Sequence, residues 1–135
     1  MITIPWIVRD KAFTGPVFVM TSRFEVHSTT NVPRFMTLAL RAYLQALRAP
    51  GVVGVSLRAA PLKRSFWTLS AWQDEKHLRE YSLTEPHKGM MRSLRPVMKS
   101  SRFLFYDAPA TPAPTWPDAL RRLGAEETPE DRTGQ

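Results

Sequence analysis

The chain has 135 residues, 43% hydrophobic and 23% charged, enough for one globular domain with a real core and too few for two. It contains no cysteine, which excludes a disulfide framework, a thiolate metal site and a cysteine nucleophile. The formal net charge is +7 and is unevenly spread: 16 of the 19 Lys and Arg but only six of the 12 Asp and Glu precede Asp107, so the body carries +10 and the tail −3.

Residues 1–15 read as an N-terminal arm that holds Trp6 and Phe13 and ends in the turn signal Gly15-Pro16. Its first residues lack the basic region and long apolar stretch of a signal peptide. No apolar run approaches the ~20 residues needed to cross a bilayer, so the expectation is a cytoplasmic protein with no membrane span. The β-branched and aromatic run Val17 to Val26 predicts a first strand. Ser28, Thr29, Thr30 and Asn31 offer capping side chains, with Pro33 near the first helical turn. Phe35, Met36, Ala39, Leu40, Tyr43, Leu44 and Leu47 then recur at helical spacing, predicting a helix from Val32 to Arg48 that Ala49-Pro50-Gly51 stops.

Val52 to Arg58 predicts a second strand and Ser65 to Trp72 a third, joined as a hairpin through Ala60 to Arg64. Asp74 can cap a second helix running through Tyr81, which Thr84-Glu85-Pro86 interrupts. A further helical stretch carries His87, Met90, Met91 and Leu94 up to Pro96. Arg102 to Tyr106 predicts a fourth strand. The order β-α-β-β-α-β over residues 16–107 is the ferredoxin-like unit: α+β, a four-stranded antiparallel sheet with helices on one face. Residues 108–135 read as a Pro-rich C-terminal tail in which Asp118 to Leu123 could form a short helix that packs back, with disorder expected from Glu126 onward. The strands are near-continuous apolar runs, a sign that both sheet faces are buried. Two helices cover one face, so the other is expected to meet a second copy in a homodimer.

The segment from Phe66 through Trp72, Asp74-Glu75 and Tyr81 to Glu85-Pro86-His87 resembles the dimeric α/β-barrel superfamily, notably antibiotic-biosynthesis-monooxygenase-like and spheroidene-monooxygenase-like domains. The resemblance implies a monooxygenase-like enzyme of secondary metabolism that oxidises a hydrophobic aromatic or polyene small molecule without a cofactor, with heme as the alternative. The superfamily's heme-degrading branch wants an Asn, a Trp and an axial His where this chain has Ser22, Tyr81 and Met91; His87, one turn from Met91, is the remaining candidate ligand.

Cofactor-free oxygenation needs a dry pocket, a base and donors for a developing oxyanion. His87 is the candidate base, since imidazole titrates near neutrality. Tyr81 and Ser70 are the candidate donors, completing the expected catalytic set. Trp67, Trp72, Phe24, Met90 and Met91 are the candidate substrate-binding residues. His27 and His77 read as surface residues, and the three histidines lack metal-ligand spacing. Lys88, Arg92, Arg95 and Lys99 share one helical face, and Arg34, Arg41 and Arg48 another. These stripes lack an aromatic platform or groove-reading motif, so they read as solvated faces rather than a nucleic-acid site. Two other functions stay open at this point: a non-catalytic dimeric binder of an apolar ligand or heme, and a basic module for nucleic acid or an anionic surface.

Overall fold

A computed structural model describes residues 1–126 of the chain. Of the residues expected to be disordered from Glu126 onward, Glu126 ends helix α4 instead and residues 127–135 lie outside those described. The elements run β1 (Ile2–Val8), β2 (Val17–Val26), α1 (Val32–Leu47), β3 (Val52–Ala60), β4 (Ser65–Trp72), α2 (Glu75–Leu83), α3 (His87–Leu94), β5 (Met98–Ala108) and α4 (Trp116–Glu126). The strands form one antiparallel sheet in the order β1-β3-β4-β2-β5. The ferredoxin-like unit is present, with one correction. The sheet has five strands rather than four, because the arm pairs with β3 as an edge strand. Pro5 lies where the β1–β3 register slips, between Ile4 and Ile7. Proline lacks the N–H a central strand needs, so an edge is where it is tolerated.

Local chemistry sets the boundaries. The Ser28 side chain accepts from the Thr30 N–H and starts the turn that leads into α1. Gly51, at φ +80, reverses the chain after α1 into β3; a Cβ there would lie 2.2 Å from the His77 ring. Asp74 caps α2 by accepting from the His77 N–H at 2.9 Å and also meets His77 Nδ1, so His77 is half-buried in a cap rather than free on the surface. β5 begins at Met98, four residues before the predicted strand, and pairs with β2 along its whole length.

Side chains alternate across the sheet. Phe24 and Phe66 point to the helical layer, where they pack with Phe35 and Leu94. Val55 and Trp72 face the same way, against Ala46, Leu78 and Tyr81. Val17, Val19, Leu69 and Ala71 point to the opposite face, where they meet Trp116 and Ala119 of α4. Trp6, Phe13, Trp67 and Tyr106 close the edges of that second core. Trp116 Nε1 donates to Ser56 Oγ at 2.8 Å, and Ser56 Oγ donates to the Ile4 carbonyl at 2.6 Å, so one hydroxyl ties α4, β3 and the arm together. Both faces of the central strands β2, β3 and β4 are largely buried, as their apolar runs require. The cover on the second face, however, is the chain's own α4 and arm, on the surface that the sequence argument left to a second copy.

Candidate active site

The site lies between the helical layer and the sheet. β2 and β4 are paired in register, with Met20 opposite Ser70, Ser22 opposite Thr68 and Phe24 opposite Phe66. These even-numbered positions share one face and floor a cavity of about 90 Å³, roofed by α1, α2 and α3. An apolar void of about 150 Å³ takes a benzene ring, so this one holds a single small ring only after some repacking. Met20, Met90 and Met91 in the wall are the side chains best able to repack.

Seven of the eight candidate residues line this cavity: Ser70, Trp72, Tyr81, His87, Phe24, Met90 and Met91. Trp67 does not. It is odd-numbered on β4, so the pleat turns it to the α4 side, where it packs against the second core. The assignment of Trp67 to substrate binding is therefore corrected: it supports the face opposite the cavity.

His87 begins α3, and three contacts fix it. Its backbone N–H donates to Gln45 Oε1 at 2.8 Å. Its Nδ1 lies 3.2 Å from the Ser82 carbonyl. A carbonyl only accepts, so Nδ1 carries the proton and Nε2 keeps the lone pair. Its ring lies 4.7 Å from that of Tyr81. Burial disfavours the charged imidazolium and holds the His87 pKa below the usual histidine value, with the Ser82 bond opposing in part. Burial thus favours the neutral imidazole, with Nε2 as its basic atom.

Tyr81 is buried, its ring 5.1 Å from that of Trp72. Its hydroxyl donates to the Ala42 carbonyl at 2.8 Å, and burial pushes its pKa far up. The one O–H is committed to α1, so Tyr81 positions α2 and walls the cavity and has no donor left for a ligand. Ser70 differs. Its Oγ accepts from Trp72 Nε1 at 2.9 Å, which leaves its own O–H to donate. Two polar residues not picked from the sequence join it, Ser22 and Thr68, whose hydroxyls are hydrogen-bonded to each other. Their signal was the parity of 20, 22 and 24 opposite 66, 68 and 70, legible only once the strands are paired. Gln45 was also missed. It holds the α2–α3 turn, with Nε2 donating to the Thr84 carbonyl at 3.3 Å while Oε1 holds His87.

No Asp, Glu, Lys or Arg lines the cavity. Among the described residues no group of three His, Asp or Glu could hold a metal ion. The site does not fit a heme either. A porphyrin is several times the size of the ring that a void of about 150 Å³ accepts, and the axial candidate His87 is the only imidazole in the lining.

No family model matches this sequence, and no curated protein does. Solved structures do match in fold. SnoaB from Streptomyces nogalater, described as a cofactor-independent oxygenase, is 21% identical with a TM-score of 0.60, over 74% of this chain and 100% of that one. An antibiotic biosynthesis monooxygenase is 12% identical with a TM-score of 0.62, over 67% of this chain and 97% of that one. A conserved protein from Methanosarcina mazei Go1 is 17% identical with a TM-score of 0.60, over 67% of this chain and 90% of that one. At these identities the likeness is one of fold. Among the described residues, no helix is long and apolar enough to cross a membrane.

Proposed function

We propose that this chain, which has the ferredoxin-like fold of the antibiotic-biosynthesis-monooxygenase-like domains, is a monooxygenase that acts without a cofactor on a small, apolar, conjugated molecule. One observation carries the reading: an uncharged, almost wholly apolar cavity whose lining includes a single imidazole and several hydroxyls. The fold neighbour described as a cofactor-independent oxygenase lends it support.

The chemistry suits a substrate with a weakly acidic C–H₂ group flanked by a carbonyl and an aromatic ring. His87 Nε2 removes one proton, and the Ser70 hydroxyl donates to the enolate oxygen that forms. The enolate passes one electron to dioxygen, and the resulting radical pair joins to make a C–O bond. His87 returns the proton to the peroxide. Loss of water then breaks the O–O bond and leaves a carbonyl, so CH₂ and O₂ become C=O and H₂O. Phe24, Trp72, Met90 and Met91 exclude water and hold the conjugated body, and a dry site slows wasteful proton leakage. The domain boundaries at residues 16 and 107 go with this reading, the arm and tail serving the opposite face.

The test is oxygen uptake with 2-indanone, a chelator present, for the wild type, His87→Gln and Ser70→Ala. Uptake above buffer that falls ~10²–10⁴-fold in His87→Gln is the expected result. Uptake that is unchanged in His87→Gln overturns the mechanism. Saturable binding with no uptake leaves the non-catalytic binder of apolar ligands. We place the contact of the expected homodimer over the C-terminal half of edge strand β5, where Phe105 is 50% exposed. Sedimentation velocity of wild type and Phe105→Lys checks it, and a wild-type monomer at micromolar concentration removes it.

A further inference from the structure

The apolar cavity has a neighbour. A groove of about 330 Å³ runs beside it between the end of α3 and the start of β5, lined by Met91, Arg95, Met98, Lys99, Ser100 and Phe103 among others. Met91 and Phe103 line both spaces, so these two side chains are the partition between them. Phe103 packs edge-on against Phe24 at 5.4 Å, yet is 44% exposed. An aromatic ring left open at the rim of an apolar cavity is a surface that a ligand reaching in from outside would cover.

We propose that the site takes amphipathic acids, with a conjugated apolar body in the cavity and a carboxylate in the groove held by Arg95 and Lys99. The inference rests on the reading of the cavity as a ligand site and adds the ligand's chemical class. The charge distribution is its basis. The cavity offers no cation, and an unpaired carboxylate buried in it would forfeit its hydration. An acidic ligand must therefore keep its head outside, at a mouth of opposite charge. The groove supplies that. Arg95 forms no ion pair among the described residues. Lys99 is 4.0 Å from Glu25 across the strand pair, at the outer limit of pairing, its one ion pair among the described residues. The Arg95 fork can grip a carboxylate with two N–H donors, and Ser101, on the same side of β5 as Phe103, is among the groove's lining residues. Arg95 and Lys99 are two of the four cations that share a face in the sequence. Lys88 and Arg92 do not line the groove, so the charge at the mouth is separable from the general basicity of the chain.

The experiment compares two probes of one shape, trans-cinnamate and cinnamyl alcohol, by chemical-shift titration of the full chain at low and high salt. The variants are Arg95→Ala/Lys99→Ala and, as a control for bulk charge, Lys88→Ala/Arg92→Ala. All four side chains are exposed, so both double variants should fold. The expected result is that wild type binds cinnamate about tenfold or more tightly than the alcohol. That preference should shrink with salt, vanish in Arg95→Ala/Lys99→Ala and survive in Lys88→Ala/Arg92→Ala. Alcohol binding with no preference for cinnamate overturns this inference and leaves the cavity reading standing. A preference that persists in Arg95→Ala/Lys99→Ala overturns it equally. If neither probe binds, the cavity reading falls and this inference with it.

Discussion

Replacing Trp116 by alanine tests whether α4 is part of the fold or an appendage lying on it. Trp116 is 9% exposed, donates to Ser56 at 2.8 Å and lies under the Arg58 guanidinium at 5.0 Å. A buried Trp→Ala change removes about 3–5 kcal/mol, within which the hydrogen bond accounts for about 1 kcal/mol and the cation–π contact for about 0.5–1 kcal/mol. Total stability for such a domain is about 5–15 kcal/mol, so the loss would be a large share of it. Its ceiling is the free energy of docking α4, because a helix of 11 residues does not persist alone and would leave the sheet first. Urea unfolding followed by circular dichroism reads the change. Trp116→Phe keeps an aromatic ring but not the indole N–H, and should lose about 1 kcal/mol through the hydrogen bond. Leu123→Ala, at a side chain 2% exposed on the same helix, should be strongly non-additive with Trp116→Ala, since either frees the whole element. A loss under about 1 kcal/mol in Trp116→Ala would refute the claim that α4 is what seals the sheet's second face.

Burial lowers the His87 pKa, so the unfolded chain binds its proton more readily than the folded one. The neutral imidazole's contribution to stability is whole above the unfolded value of about 6.5 and is lost as pH falls toward the lower folded value. An NMR titration of His87 with a midpoint at or above 6.5 would contradict the burial described. Tyr81→Phe strands the Ala42 carbonyl and should lower stability by about 1–3 kcal/mol while leaving turnover within a few-fold; a collapse of turnover with an intact fold would return Tyr81 to the catalytic set. Gly54→Val drives a Cβ to 2.2 Å from the Trp6 ring, and thermal melts should show a loss of about 1–3 kcal/mol as β1 shifts. A hemin titration should give no saturable Soret shift that depends on His87, and one that does would reopen heme ligation.

The strand and helix boundaries were largely legible because local chemistry writes them: the Asp74 cap, Gly51 after α1, and the β-branched runs of β2 and β4. Parity was legible as well, though unused. Trp67 and Trp72 differ by an odd number, so one strand cannot aim both into one cavity. Residues 1–15 read only as an arm; Pro5 breaks its apolar run, and the pairing with β3 shows that an edge strand tolerates the break. Two-sided burial was correctly inferred from composition, but what covers the second face depends on where a Pro-rich tether lets α4 land, and sequence does not encode that distance. Gln45 and Thr68 were invisible for a related reason. Their roles come from partners that are far off in the chain: 42 residues to His87 and 46 to Ser22.

The covering of the second face by α4 also bears on how the protein comes into being. The chain is made from its N-terminus, so all five strands precede α4. At about 5–20 residues per second, the stretch from Ala108 to Leu123 takes roughly 1–3 s to synthesise. Until α4 docks, a completed sheet would show Val17, Val19, Leu69 and Ala71 to solvent or to any neighbouring chain. A half-covered sheet of this kind is the species that sticks. Conditions that slow translation between β5 and α4 should therefore lower the soluble yield without altering the finished molecule's stability.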